Sequence, residues 1–244
     1  MRRLAIVPMM AVLLAPLPAA AEFVVLSSTQ ASVSAGSVIA DDQKVTLAAN
    51  KTVQLIDQAG RTITLNGPYD GVVKAKGGEG KSKLVRALSS LIREYEQDAR
   101  NVGAIRATDK KRIEDTITSK ESAMMVNISE TGDYCLFPGE KPELVRYHSE
   151  KSPRITLVAV ANGASQVLDW PADAAKADWP AALPVGEGAR YLVSQEGKDT
   201  KTLITLHEIP NNSPTVAHLA IALTGQECIE QARLMLVYLR RSSQ

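Results

Sequence analysis

The stretch Thr52-Val53-Gln54-Leu55-Ile56-Asp57-Gln58-Ala59-Gly60-Arg61-Thr62-Ile63-Thr64-Leu65 alternates in both arms across a turn that contains a glycine. Period-two alternation is the mark of a half-buried strand, so the stretch reads as a β-hairpin. Working outward, Phe23–Leu26, Val33, Val38–Ile39 and Val45–Leu47 are further short apolar runs. Ala35-Gly36, Asp41-Asp42, Asn50-Lys51 and Asn66-Gly67-Pro68 separate them as turns. Strands this short and closely spaced predict a small β-roll or sandwich over residues 22–74.

Upstream, Arg2 and Arg3 precede an apolar run from Leu4 to Leu17, and Ala19-Ala20-Ala21 supplies small residues for a peptidase. That order predicts a cleavable secretory signal over residues 1–21, the run being too short for a stable membrane span. No cysteine stands at the cleavage position to carry a lipid anchor. The expected destination is the periplasm, with no membrane span after cleavage. The chain has 28 Lys and Arg against 27 Asp and Glu, a net charge of +1, and losing Arg2 and Arg3 makes it slightly negative. Such a balance gives no basic excess to attract nucleic acid. Hydrophobic content of 45% is enough for a true core.

The run Ala35-Gly36-Ser37-Val38-Ile39, then Val45-Thr46-Leu47, then Val53 through Leu65 resembles the FecR-type periplasmic β-module. In that family a Gly-led strand precedes a strand, a turn carrying Asp and Gly, and a second strand. The resemblance covers part of the N-terminal module only. It implies a protein-interaction or signalling module of the bacterial envelope, and it brings no catalytic residues with it.

Downstream, Leu84, Leu88, Leu91, Ile92 and Tyr95 fall on one helical stripe, so Leu84–Tyr95 is predicted to pack one face on a core. Residues 96–123 are charge-rich and poor in apolar anchors. Together residues 75–123 read as a helical connection or solvated linker between two halves. From Met124 the strand pattern returns at Met124–Ile128, Tyr134–Phe137, Leu144–Tyr147, Ile155–Ala161, Gln166–Trp170, Tyr191–Ser194 and Leu203–Leu206. Asn162-Gly163 marks a tight hairpin. Residues 124–244 are therefore expected to form an antiparallel sheet closed by terminal helices. Ser213-Pro214 reads as a helix start and Gly225 as a stop. A second apolar stripe runs Cys228, Ile229, Ala232, Leu236 and Leu239, ending at Arg240-Arg241. The whole chain is predicted to be mainly β with helices, an α+β fold.

Two cysteines, Cys135 and Cys228, are even in number, and in an oxidising compartment an even pair predicts one disulfide. It would close a loop of about 93 residues and contribute about 4–5 kcal/mol on the chain-entropy view. It would also staple the terminal helix onto the strand Tyr134–Phe137. Free thiols or half a metal site are the alternatives. His148, His207 and His218 are isolated, no CxxC or HxxxH spacing occurs, and no metal or other cofactor is expected.

Ala75-Lys76-Gly77-Gly78-Glu79-Gly80-Lys81-Ser82 resembles a relaxed phosphate-binding loop. It lacks the first glycine, sits among β-hairpins, and heads for a compartment poor in nucleoside triphosphates, so it reads as a flexible loop. A hydrolase triad needs a nucleophile, a histidine and an acid, and no G-x-S-x-G motif occurs. His207 sits in the strand pattern Thr205-Leu206-His207-Glu208 and is expected at a satisfied sheet position. The repeat Asp169-Trp170-Pro171-Ala172 and Asp178-Trp179-Pro180-Ala181 holds both tryptophans of the chain. Exposed, Trp170 and Trp179 would be binding platforms for a peptide or a sugar; folded back, they would be core. The expected function is non-catalytic: an exported periplasmic interaction or sensory accessory protein with an envelope protein partner. A small-ligand or glycan-binding protein is the alternative, and an envelope hydrolase the third.

Overall fold

Strand β1 (Glu22–Ser28) carries four consecutive buried residues, Phe23, Val24, Val25 and Leu26, and a strand with that pattern must pack on both faces. The computed structural model describes residues 22–74, 83–101, 111, 114–146, 154–171 and 174–242. Met1–Ala21, Ala75–Ser82 and His148 lie outside the described residues. After β1 come β2 (Val38–Ala40), β3 (Lys44–Leu47), β4 (Thr52–Asp57), β5 (Thr62–Asn66) and β6 (Tyr69–Val72). One sheet runs β2-β1-β4-β5, and β3 pairs with β6 alone. Phe23, Val25, Val53 and Leu55 of the first sheet meet Val45 and Leu47 of the second in one core, as in a small sandwich.

The predicted hairpin is β4–β5, in register from Thr52↔Asn66 to Ile56↔Thr62. Buried Asp57 builds its turn: Oδ1 accepts from the Ala59 and Arg61 amides, each at 2.9 Å, and Oδ2 holds the Arg61 guanidinium at 2.8 Å. Gly60 has φ +77°, and a Cβ there would lie 2.3 Å from Thr215 Oγ1. The turn therefore needs glycine twice, once for its backbone and once for its close seating on a distant loop.

Helix α1 (Lys83–Asn101) buries the whole predicted stripe against the outer residues of the first sheet, Val24, Leu26 and Ile56. Ser89 Oγ and Arg93 Nε both donate to the Gly36 carbonyl, at 2.6 and 3.2 Å. Gly36 has φ +79°, and a Cβ there would come 2.6 Å from Arg93 Cγ, so a side chain would push the helix off.

The charge-rich segment is more than a solvated linker. Ile117 is fully buried, and a 3-10 turn at Glu121–Met124 buries Ser122, Ala123 and Met124. This turn replaces the start of the expected strand, leaving β7 (Val126–Asn127) as a short remnant. There follow β8 (Gly132–Leu136), β9 (Glu143–Val145), β10 (Arg154–Ala159), β11 (Ser165–Asp169), β12 (Lys176–Asp178), β13 (Arg190–Gln195) and β14 (Lys201–Glu208). A five-stranded sheet has the order β11-β10-β13-β14-β8, and a three-stranded sheet the order β12-β9-β7. Neighbours are antiparallel except β14–β8 and β7–β9, which are parallel. The two sheets enclose a second core of Tyr134, Leu136, Leu144, Ile155, Leu157, Tyr191, Ile204 and Leu206. The fold is α+β.

Two helices end the described chain, α2 (Val216–Gly225) and α3 (Ile229–Ser242). The cap of α2 is Thr215 rather than Ser213, and its side chain accepts from the His218 amide. The left-handed residue between the helices is Glu227, at φ +61°, rather than Gly225. The sulfurs of Cys135 and Cys228 stand at bonding distance, 1.97 Å, with Cα atoms 5.9 Å apart, so β8 is stapled to the head of α3. One turn further on, Gln231 is fully buried. Its Oε1 accepts from the Cys135 amide at 2.6 Å, and its Nε2 donates to the carbonyls of Cys135 at 3.0 Å and Met124 at 2.8 Å.

Replacing Gln231→Met should strand those three buried backbone groups at about 1–3 kcal/mol each. Urea unfolding should show a loss of about 3 kcal/mol or more with the slope unchanged. A loss under about 1 kcal/mol would mean that the backbone groups find other partners.

Candidate functional site

The outward face of the five-stranded sheet is built by simple alternation. On β10, Ile155, Leu157 and Ala159 point into the second core, which leaves Thr156 and Val158 outside, with Val160 just beyond the strand end. Val158 is opposite Leu192 on β13, and Leu192 is opposite Leu203 on β14. Val167 of β11 is opposite Thr156, diagonal to Val158. An antiparallel sheet with one wet face ordinarily carries polar residues there. Here Val167 is 53% exposed, Val160 45% and Leu192 37%, and they form a continuous apolar row flanked by Arg154, Ser165, Asp169 and Arg190. At the far end of the sheet the same face changes character: Cys135 on β8 points into the core that the helices share.

His207 lies on this outward face of β14, between the open and the covered ends. Its Nε2 is 2.9 Å from Asp133 Oδ1 on β8, and its Nδ1 is 3.1 Å from Glu187 Oε1 in the loop before β13. The other Glu187 oxygen accepts from the Glu208 amide at 2.7 Å. Partial burial alone would lower the pKa of His207, but the two carboxylates outweigh it and raise the value above the ordinary 6.5. A general base needs a free ring nitrogen, and here both face carboxylates. The cluster is an ionic clamp tying the 187 loop to two strands, and the satisfied sheet position expected for His207 is its place. Among the described residues, no group of three or more His, Cys, Asp or Glu is arranged to hold a metal ion. His218 serves the cap of α2, its Nδ1 2.9 Å from Thr215 Oγ1.

Trp170 and Trp179 are not platforms: they are 1% and 3% exposed. Each ring is turned inward by the same device, a tight turn after Trp-Pro that lets the indole donate four residues on, Trp170 to Ala174 O at 2.8 Å and Trp179 to Leu183 O at 3.2 Å. Trp179 then packs edge-on against Tyr191, centroids 4.8 Å apart, and the Arg146 guanidinium lies 5.1 Å from the Trp170 ring centre. The repeated Asp-Trp-Pro-Ala is a folding motif of the second core. The exposed apolar row was the candidate that sequence patterning passed over. Its signal was available in the Val and Leu residues at positions where alternation calls for polar ones.

The sequence matches no protein-family model, and no curated protein matches it.

The clamp has a pH signature. With the folded-state pKa of His207 raised, its stabilisation is complete below about pH 6.5 and is lost as the pH rises through the raised value. Glu187, hydrogen-bonded by the Glu208 amide and by His207, is held below its ordinary 4.5, so its share fades only as the pH falls through that lowered value. The melting-temperature advantage of the wild type over His207→Gln should be widest near about pH 5–6 and should shrink on the alkaline side. An advantage that does not change with pH would show that the ring acts as a neutral hydrogen-bonding group.

Proposed function

We propose that the protein is an exported, non-catalytic interaction or sensory accessory protein of the bacterial envelope, with its contact surface on the open face of the five-stranded sheet. The observation that carries this reading is an apolar row on the outward face, with Val160, Leu192 and Val167 exposed and Val158 and Leu203 half-buried between them, where a solvent-facing sheet ordinarily carries polar side chains. Its polar and charged rim is the usual composition around a protein contact. Export is supported by the signal-like Met1–Ala21 and by a cysteine pair at bonding distance, since disulfides persist in oxidising compartments. No helix among the described residues is long and apolar enough to cross a membrane.

The FecR-type resemblance of residues 35–65 supports the signalling side of the proposal. Those residues build β2 through β5, whose outer parts include the exposed Val38 and a groove of about 400 Å³ along Ser32–Thr46. A glycan-binding role gains nothing from Trp170 and Trp179, because neither ring presents a face to solvent.

In-cell crosslinking of the tagged protein, read by mass spectrometry, tests the proposal. One reproducible envelope protein should be captured, lost in Leu192→Glu and kept in Val38→Glu. Equal capture by both variants would move the contact off the sheet face, and adducts of neither kind would sink the interaction reading.

A further inference from the structure

Strand β11 is the outer strand of the five-stranded sheet, and its backbone polarity can be worked out. The Ala159 amide donates to Ala164 O, whereas Glu196 N donates to Arg154 O and Val160 N to Arg190 O. Odd-numbered residues of β10 therefore bond toward β11, and even-numbered ones toward β13. The partners of Ile155 and Leu157 are Leu168 and Gln166, so these use their N–H and C=O groups inside the sheet. Ser165, Val167 and Asp169 aim theirs outward.

This edge lacks most of the devices that ordinarily blunt one, the charged Asp169 at its end being the exception. The strand Ser165-Gln166-Val167-Leu168-Asp169 is five residues long, pairs with β10 without a bulge, and contains no proline or lysine. Its side chains on the open face are Ser165, Val167 and Asp169, with Val167 the most exposed large apolar residue among the described residues. Three other edges are poorer templates. Strands β2 and β12 have three residues each, and β5 directs Thr62, Thr64 and Asn66 outward.

The geometry points to a second copy of the chain as the occupant of this edge, with β11 paired antiparallel to β11 of its partner about a two-fold axis at Val167. The strand is complementary to itself in that arrangement and no other partner sequence need be supposed. Val167 meets its own copy at the axis, and Ser165 of each chain lies opposite Asp169 of the other, a hydroxyl facing a carboxylate. Gln166 lies opposite Leu168 on the inner face. No like charges oppose one another, and Arg154, 3.3 Å from Asp169, lends a cation to each end of the ribbon. Two isologous edges close a dimer and leave no edge to propagate. The pairing fuses two five-stranded sheets and joins their two apolar rows into one surface. It rests on the same exposed sheet as the proposed function but not on any envelope partner.

Sedimentation equilibrium of the protein expressed from its full sequence should show a monomer–dimer equilibrium at micromolar concentration. Val167→Pro removes an N–H that the sheet does not use, so it should abolish the dimer and leave the monomer's thermal unfolding near that of the wild type. Two further variants act through exposed side chains alone. Ser165→Asp sets carboxylates against Asp169 at both ends and should weaken the dimer, and Ser165→Lys should tighten it, by up to about fivefold per pair. A protein monomeric up to millimolar concentration overturns the pairing, as does a dimer indifferent to Val167→Pro and to both Ser165 variants. Sedimentation and crosslinking of the wild type together separate the two readings. An envelope partner kept by a monomeric wild type overturns the pairing alone, while a dimer that captures no other protein overturns the partner reading and upholds the pairing.

Discussion

The structure depends on how the outer side of β8 is satisfied. That strand closes the five-stranded sheet, yet it is buried on both faces, with Tyr134 and Leu136 in one core and Cys135 and Phe137 in the other. Its hydrogen-bonding edge faces the protein interior, where an unpaired peptide group is costly. Among the described residues no strand lies there. Instead the carboxamide of Gln231, a side-chain copy of a peptide group, accepts from the Cys135 amide and donates to the Cys135 carbonyl. The disulfide to Cys228 enters α3 three residues earlier and holds the helix in the one place where that amide can reach. A covalent bond and a bidentate hydrogen bond act on the same residue, and together they weld the second half's sheet to the helices.

Those helices in turn hold the first half. Gln54 of β4 accepts from Ser27 and donates to the Arg240 carbonyl at the end of α3, and Arg240 Nε returns a bond to Leu26 O. Charged residues in the last turns of α1 and at Asp115 work as a strap, since Glu96 pairs with Arg240 at 2.7 Å, Asp98 with Arg233, and Asp115 with Arg241 at 2.8 Å. Partly exposed pairs of this kind are individually weak. Their work is to fix register over an apolar core that already joins Val24, Leu26 and Ile56 to Leu223, Leu236 and Leu239.

What was legible in the sequence was whatever a local period could encode. The β4–β5 hairpin, the stripe of α1, the Asn162-Gly163 turn and the strand-to-helix cysteine pairing all follow from spacing, turn chemistry or parity. The parallel β14–β8 pair does not, because its partners lie about seventy residues apart and parallel pairing leaves no turn signature between them. The strap was misread as solvated because ion pairs to a distant helix look, in sequence, like charges meant for water. Trp170 and Trp179 were ambiguous for a related reason: an exposed anchor and a folded-back core ring share the same Trp-Pro dipeptide, and only the carbonyl four residues on decides between them. Gln231 gave no signal at all, since a lone glutamine among apolar residues shows its role only when the strand beside it is known.

The five-stranded sheet is thus treated oppositely at its two ends. At β8 the edge is sealed by Gln231 and the disulfide and the outer face is roofed by helices. At β11 no strand among the described residues pairs with the edge, and the open face carries valine and leucine. His207 marks the transition, its ring held between Asp133 of the sealed strand and Glu187 of the loop leading back into β13. A fold that spends a cystine, a buried carboxamide and three helices on closing one end had the means to blunt the other with a single lysine or proline. An edge strand without lysine or proline, in a protein otherwise so fully tied down, is what supports placing the proposed contact at the open end of the sheet.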